Sequence, residues 1–167
     1  MTARSCLPYP HPCLRIPAHP VAEITDEIRA IWADMVETMD AMPGYGLAGP
    51  QIGVMQRLAV VDCSEARGQA ILLANPEILH TSVTFRDHEE ASPNLPGVSA
   101  VIARPRALTV RFLNAAGAME DRDFVNLWAT SVQHQIDHLN GRLYIDHLSP
   151  LKRKMLLAKA EKWRKRG

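Results

Sequence analysis

Apolar side chains at Ile28, Ile31, Trp32, Met35, Val36 and Met39 recur at i, i+3, i+4 and i+7, which predicts an amphipathic helix with one buried face. Thr25 is its N-cap, with Asp26 and Glu27 in the first turn. Pro43-Gly44 terminates it. A glycine-rich loop, Gly44 to Gly53, follows and leads into a strand over Arg57 to Asp62. Ile71 to Ala74 and Ile78 to His80 are strand pieces either side of Pro76. Leu108, Val110 and Phe112 alternate with Thr109 and Arg111, the signature of a half-buried strand. Asn114 to Ala118 reads as a turn into another short extended piece.

A second helix is expected from about Arg122 to Leu139, stopped by Asn140-Gly141. Ser149-Pro150 places an N-cap and an N1 proline at the head of a third, Leu151 to about Lys165. One helix, several strands and two further helices, without repeats or a linker, predict a single α+β domain over residues 1–167. Its expected architecture is an N-terminal helix, mixed or antiparallel strands around a central motif-bearing helix, and a C-terminal helix.

A chain of 167 residues with 47% hydrophobic and 22% charged side chains can bury a real core. No apolar run approaches the ~18 residues that span a bilayer, and Met1 to Pro17 lacks a basic-then-apolar leader pattern. A cytoplasmic location and no membrane partner are the economical inferences. Cys6, Cys13 and Cys63 show no C-x-x-C spacing, which argues against a disulfide framework or zinc knuckle; Cys63 ends an apolar run and reads as a small core residue. The net charge of +1 hides an asymmetry, since residues 152–166 hold eight basic side chains against Glu161 alone, leaving a net of −6 elsewhere. Such a tail suits an anionic surface, or simply a solvated helix whose lysines complement the dipole.

Three segments can carry chemistry. His134-Gln135-Ile136-Asp137-His138 places two imidazoles on one face of the second helix, where they can converge on a metal. In the H-E-x-x-H arrangement the residue after the first histidine is a carboxylate base, whereas Gln135 is a neutral amide. The loop Gly44-Tyr45-Gly46-Leu47-Ala48-Gly49-Pro50-Gln51 lets backbone approach a ligand, and Gln51 offers an amide donor suited to an oxyanion. Glu90-Ala91-Ser92-Pro93-Asn94-Leu95-Pro96-Gly97 reads as a loop between strands, with turn signals at Pro93-Asn94 and Pro96-Gly97.

In order and spacing, these segments resemble the G-x-G-x-A-A-x-Q, E-G-C-L-S and Q-H-E-x-D-H motifs of peptide deformylases. The resemblance runs from about residue 6 to 160, through Pro8 to Arg15, Gln56 to Asp62, Asn75-Pro76, Arg104 to Gly117 and His138 to Lys154. It implies removal of the formyl group from N-formylmethionyl peptides by a divalent metal, Fe2+, Zn2+ or similar. The resemblance assigns His134 and His138 to the metal, Gln51 to the oxyanion, Gly44 and Gly46 to the pocket loop, and Gln133 and Asp137 to supporting positions.

Three positions depart from the family pattern where that pattern carries the chemistry. Ser92 stands at the cysteine ligand, Gln135 at the catalytic glutamate, and Pro93 at a leucine whose backbone N–H serves the oxyanion. A neutral hydroxyl is a poor substitute for thiolate, and proline has no N–H. An oxyanion donor is worth on the order of 10²–10³ in rate and a general base ~10²–10⁴. The expectation is a homologue with little or no deformylase activity, weak or absent metal, and a retained site for N-terminal peptides. Two alternatives stand beside it. One is a hydrolase in which Glu89 or Glu90 completes the site. The other is a protein docking on ribosome or RNA through the basic C-terminal helix, as some deformylases do near the ribosomal exit tunnel. A nucleophilic Ser92 is disfavoured by the missing G-x-S-x-G elbow and by Pro93.

Overall fold

Helix α1 spans Asp26–Ala41, and the Thr25 side chain accepts the Ile28 N–H at its head. A computed structural model describes residues 2–167. Seven strands follow in chain order: β1 Gly46–Ala48, β2 Leu58–Val61, β3 Ile71–Thr81, β4 Phe85–Ser92, β5 Leu95–Pro105, β6 Ala107–Leu113 and β7 Met119–Val125. Helices α2 (Asn126–Leu139) and α3 (Pro150–Arg166) complete the chain. The strands form a sheet in the order β1-β2-β3-β6-β7 and a separate β4-β5 hairpin, every pairing antiparallel.

Strand β2 sits between two helices, and its alternating side chains show it. Leu58 and Val60 join Trp32, Met35 and Met39 of α1, whereas Val61 joins Val132 and Ile136 of α2. Ile31 and Val36 flank the α1 core without being fully buried. Helix α3 closes a third cluster, with Leu156 and Ala160 against Val98 and Ile102 of β5. The α+β layout holds, with α2 as the central helix.

Four local expectations are corrected. The two strand pieces around Pro76 are one strand, because Asn75 at φ +50 and a register shift between Ala74 and Glu77 carry the chain past the missing proline N–H. Arg122 to Val125 belong to β7, not to the second helix. Asp121 and Asp123 of this strand pair with Arg111 and Thr109 across the ladder, and only Phe124 is buried, so hydrophobic periodicity does not reveal it. The loop read over Glu90 to Gly97 is the tip of the β4-β5 hairpin, reduced to Pro93-Asn94 as its turn. The glycine-rich loop contains β1 and a 3-10 turn, Gly49–Ile52.

Candidate functional site

A turn at Asn126, with φ +53, starts α2 directly after β7 and directs its Gln133 to His138 segment inward. His134 and His138 lie one turn apart, with ring centroids 5.0 Å apart. Tyr144 stacks on His134 with centroids 6.0 Å apart. The Nδ1–H of His134 donates to Glu90 Oε1 at 2.8 Å, which leaves Nε2 as the free acceptor.

Glu90 is itself gripped by Arg104, whose Nε and Nη2 donate to its two oxygens at 2.6 and 2.9 Å. Arg104 Nη1 reaches Asp137 at 2.9 Å, and the His147 Nε2–H donates to the same Asp137 oxygen at 2.8 Å. Burial alone would raise the Glu90 pKa, but the hydrogen bonds from His134 and Arg104 outweigh it and bring it down to about 2. The carboxylate is therefore ionised and committed to orienting an imidazole. His138 differs. It is fully buried, neither ring nitrogen has a partner, and burial holds its pKa well below the ordinary value, so the ring is neutral.

The hairpin tip forms the opposing wall. Ser92 Oγ donates to Asn94 Oδ1 at 3.1 Å, and Gln51 Nε2 donates to the same oxygen at 2.8 Å and to Ser92 Oγ at 3.4 Å. Gln51 Oε1 accepts the Ala48 N–H at 2.9 Å. Pro93, between Ser92 and Asn94, brings no donor to this rim. Gln133 supports from behind, donating to Pro105 O and Ala129 O, both at 3.0 Å.

These walls enclose a cleft of about 390 Å³ bordered by Gly44, Gly46, Gln51, Ser92, Pro93, His134 and Gln135. Gly46 lies tight against two side chains of α2. A Cβ there would lie 2.5 Å from Gln135 Nε2 and 2.7 Å from Ser131 Oγ. Gln135 is buried beside it, and its Oε1 has no hydrogen-bond partner. The structure thus brings together every site residue read from the sequence except His138, which lies behind His134 rather than on the cleft wall.

The polypeptide deformylase family model matches residues 3–154. The chain belongs to the peptide deformylase family. It is 39% identical over 161 residues to a peptide deformylase of Cellvibrio japonicus, covering 96% of this chain and 95% of that one. It is 44% identical over 156 residues to one from Hydrogenovibrio crunogenus, covering 92% and 90%. The crystal structure of a peptide deformylase from Legionella pneumophila superposes with a TM-score of 0.91 at 36% identity, covering 98% of this chain and 96% of that one.

Against this deformylase frame, the two glutamates weighed as extra site groups have other partners. Glu89 accepts from the Ser99 hydroxyl, and Glu90 serves His134 and Arg104. Arg104 and Asn94 were the residues that sequence reasoning missed. The E-G-C-L-S pattern does end in serine where Asn94 stands, so comparing all five positions would have exposed it. Arg104 had no signal beyond lying in a strand of the matching stretch.

Proposed function

We propose that this member of the deformylase family binds peptide N-termini in its cleft and turns them over slowly or not at all. The observation that carries this reading is the state of three positions at which the family's motifs place a group used in the reaction. Ser92 is a neutral alcohol whose hydrogen is given to Asn94. Gln135 cannot take a proton from water at neutral pH. Pro93 has no N–H for an oxyanion.

The family's divalent metal, Fe2+, Zn2+ or similar, would supply Lewis acidity. Among the residues at its expected place only two imidazoles, His134 and His138, are suitable donors, and the third position carries no negative charge. That donor set does not fit tight retention of a borderline cation. The remaining groups fit binding. Gln135 Oε1 is a buried acceptor in need of an N–H. The buried cleft carboxylate, Glu90, is already compensated by Arg104 and bonded to His134, so a peptide with an acylated, uncharged N-terminus suits the depth of the cleft better than a free ammonium.

The test assays N-formyl-Met-Ala-Ser with the purified, metal-supplemented protein and with a related active deformylase in parallel. Formate release at least ~10²-fold slower, with the peptide bound intact by calorimetry, is the expected result. Comparable turnover, or no binding, sinks the reading. Restoring Ser92→Cys, Pro93→Leu and Gln135→Glu together should recover metal content and rate.

A second role rests on α3, whose basic side chains are all exposed except the half-buried Arg153. This exposed positive charge suits docking on ribosomal RNA. Co-sedimentation with ribosomes should fall steeply with salt and vanish on deleting residues 152–167; indifference to the deletion rejects it.

A further inference from the structure

Asn94, beside the cleft, uses both donor hydrogens and the acceptor oxygen of its side chain. It is almost wholly buried in the tight turn between β4 and β5. Its Oδ1 accepts from both Gln51 Nε2 at 2.8 Å and Ser92 Oγ at 3.1 Å. Its Nδ2 donates to Leu7 O at 2.5 Å and Gln51 O at 3.1 Å. Its backbone carbonyl accepts the Tyr9 N–H at 2.7 Å. One carboxamide therefore joins the hairpin tip, the Gly49–Ile52 turn and the N-terminal segment.

The consequence falls on Gln51. A primary amide has two N–H donors and a carbonyl oxygen. Both oxygen acceptors within reach of Gln51 Nε2 belong to the hairpin, and its Oε1 is held by Ala48. Gln51 borders the cleft, yet its donor capacity is spent on Asn94 and Ser92. A ligand carbonyl entering the cleft would have to break one of these bonds to gain its own, an exchange of nearly zero net value.

We infer that Asn94 is a latch: a positioning residue that withdraws the Gln51 amide and the Ser92 hydroxyl from any bound ligand. The cleft of this chain accordingly recognises an acyl oxygen poorly through Gln51, and the hydrogen bond left to offer is on the α2 wall, where Gln135 Oε1 can accept a ligand N–H. The latch rests on the peptide-binding reading only for its choice of ligand; its geometry concerns Gln51 itself.

The experiment compares wild type with Asn94→Ser, which shortens the side chain and removes the shared acceptor. Affinity is measured by calorimetry for N-formyl-Met-Ala-Ser and for the same peptide with a free amine. Asn94→Ser should bind the formyl peptide about tenfold more tightly, the value of one added hydrogen bond, with the free-amine peptide unchanged. Adding Gln51→Met should cancel that gain. Asn94→Asp keeps the acceptor but loses the donor to Leu7, and should show no gain despite comparable loosening of the N-terminal segment.

An equal gain for both peptides, a gain in Asn94→Asp, or no gain in Asn94→Ser overturns the latch. A second readout needs no variant. The Gln51 side-chain amide protons, followed by NMR in wild type, should exchange slowly and keep their shifts when the peptide is added. Fast exchange, or large shifts on peptide addition, overturns the latch as well. If neither protein binds any peptide, the peptide-binding reading falls, and the Gln51 exchange rate alone decides for or against the latch.

Discussion

The two walls of the cleft are built on opposite principles. On the hairpin side, Ser92, Asn94 and Gln51 satisfy one another, and Arg104 saturates Glu90 in a second set of hydrogen bonds. On the α2 side, Gln135 Oε1 is buried on the cleft wall without a partner, as are both ring nitrogens of His138 behind it. Buried polar atoms are nearly always paired in folded proteins. A saturated wall therefore holds the shape of the site, while an unsaturated wall has capacity left for something that binds. The difference teaches that lining a cleft and being available to it are separate properties.

The contrast predicts unequal responses to mutation. The largest effect belongs to Arg104→Met, which should cost about 3–5 kcal/mol in denaturant unfolding. It leaves the buried Glu90 carboxylate with His134 as its remaining partner and takes one partner from the partly exposed Asp137. A loss below about 1 kcal/mol would mean that the hairpin network does not hold the wall. Asn94→Ala comes next. It takes the nearer acceptor from Gln51 Nε2, leaving Ser92 Oγ at 3.4 Å, and takes the side-chain donor from the Leu7 carbonyl, at an expected cost of about 1–3 kcal/mol.

Gln135→Met should behave in the opposite sense, because it removes an atom that already lacks a partner. Stability without peptide should be unchanged or raised by up to about 1 kcal/mol, while calorimetry should show weakened peptide binding. If it destabilises as much as Asn94→Ala, the contrast between the walls breaks.

Acid gives an independent test. Glu90 is held down to about 2 from an ordinary value of 4.5, so its stabilisation is full above the ordinary value and is lost as pH falls from there towards 2. Unfolding free energy should decline across that window, and Glu90→Gln should flatten the decline. The smallest effect is expected for His147→Gln. His147 pairs with Asp137 at the partly exposed end of the network, so unfolding should report less than about 1 kcal/mol.

Much of the fold was legible from periodicity. Helix α1 begins at the Thr25 cap, and its apolar stripe faces the sheet; α3 begins at Ser149-Pro150. The hairpin was harder to see for a physical reason. The inward positions of β4 include Glu90 and Ser92, polar groups buried against polar partners. A pattern reader takes such a strand for a loop. Strand β7 escaped for the converse reason: cross-strand charge pairs, and not burial, hold most of it.

The sequence by itself determined the family, the pair of histidines on one helical turn, and the absence of a thiol, an acid and a backbone N–H at Ser92, Gln135 and Pro93. These follow from residue identity and spacing, which need no coordinates. Only the tertiary structure decided who is bonded to whom. Glu90 lies 44 positions before His134, yet accepts its Nδ1–H. Asn94 lies 43 positions after Gln51, yet takes its amide. Hydrogen bonds act over about 3 Å, so partners this distant in sequence are chosen by how the hairpin, the loop and α2 pack together.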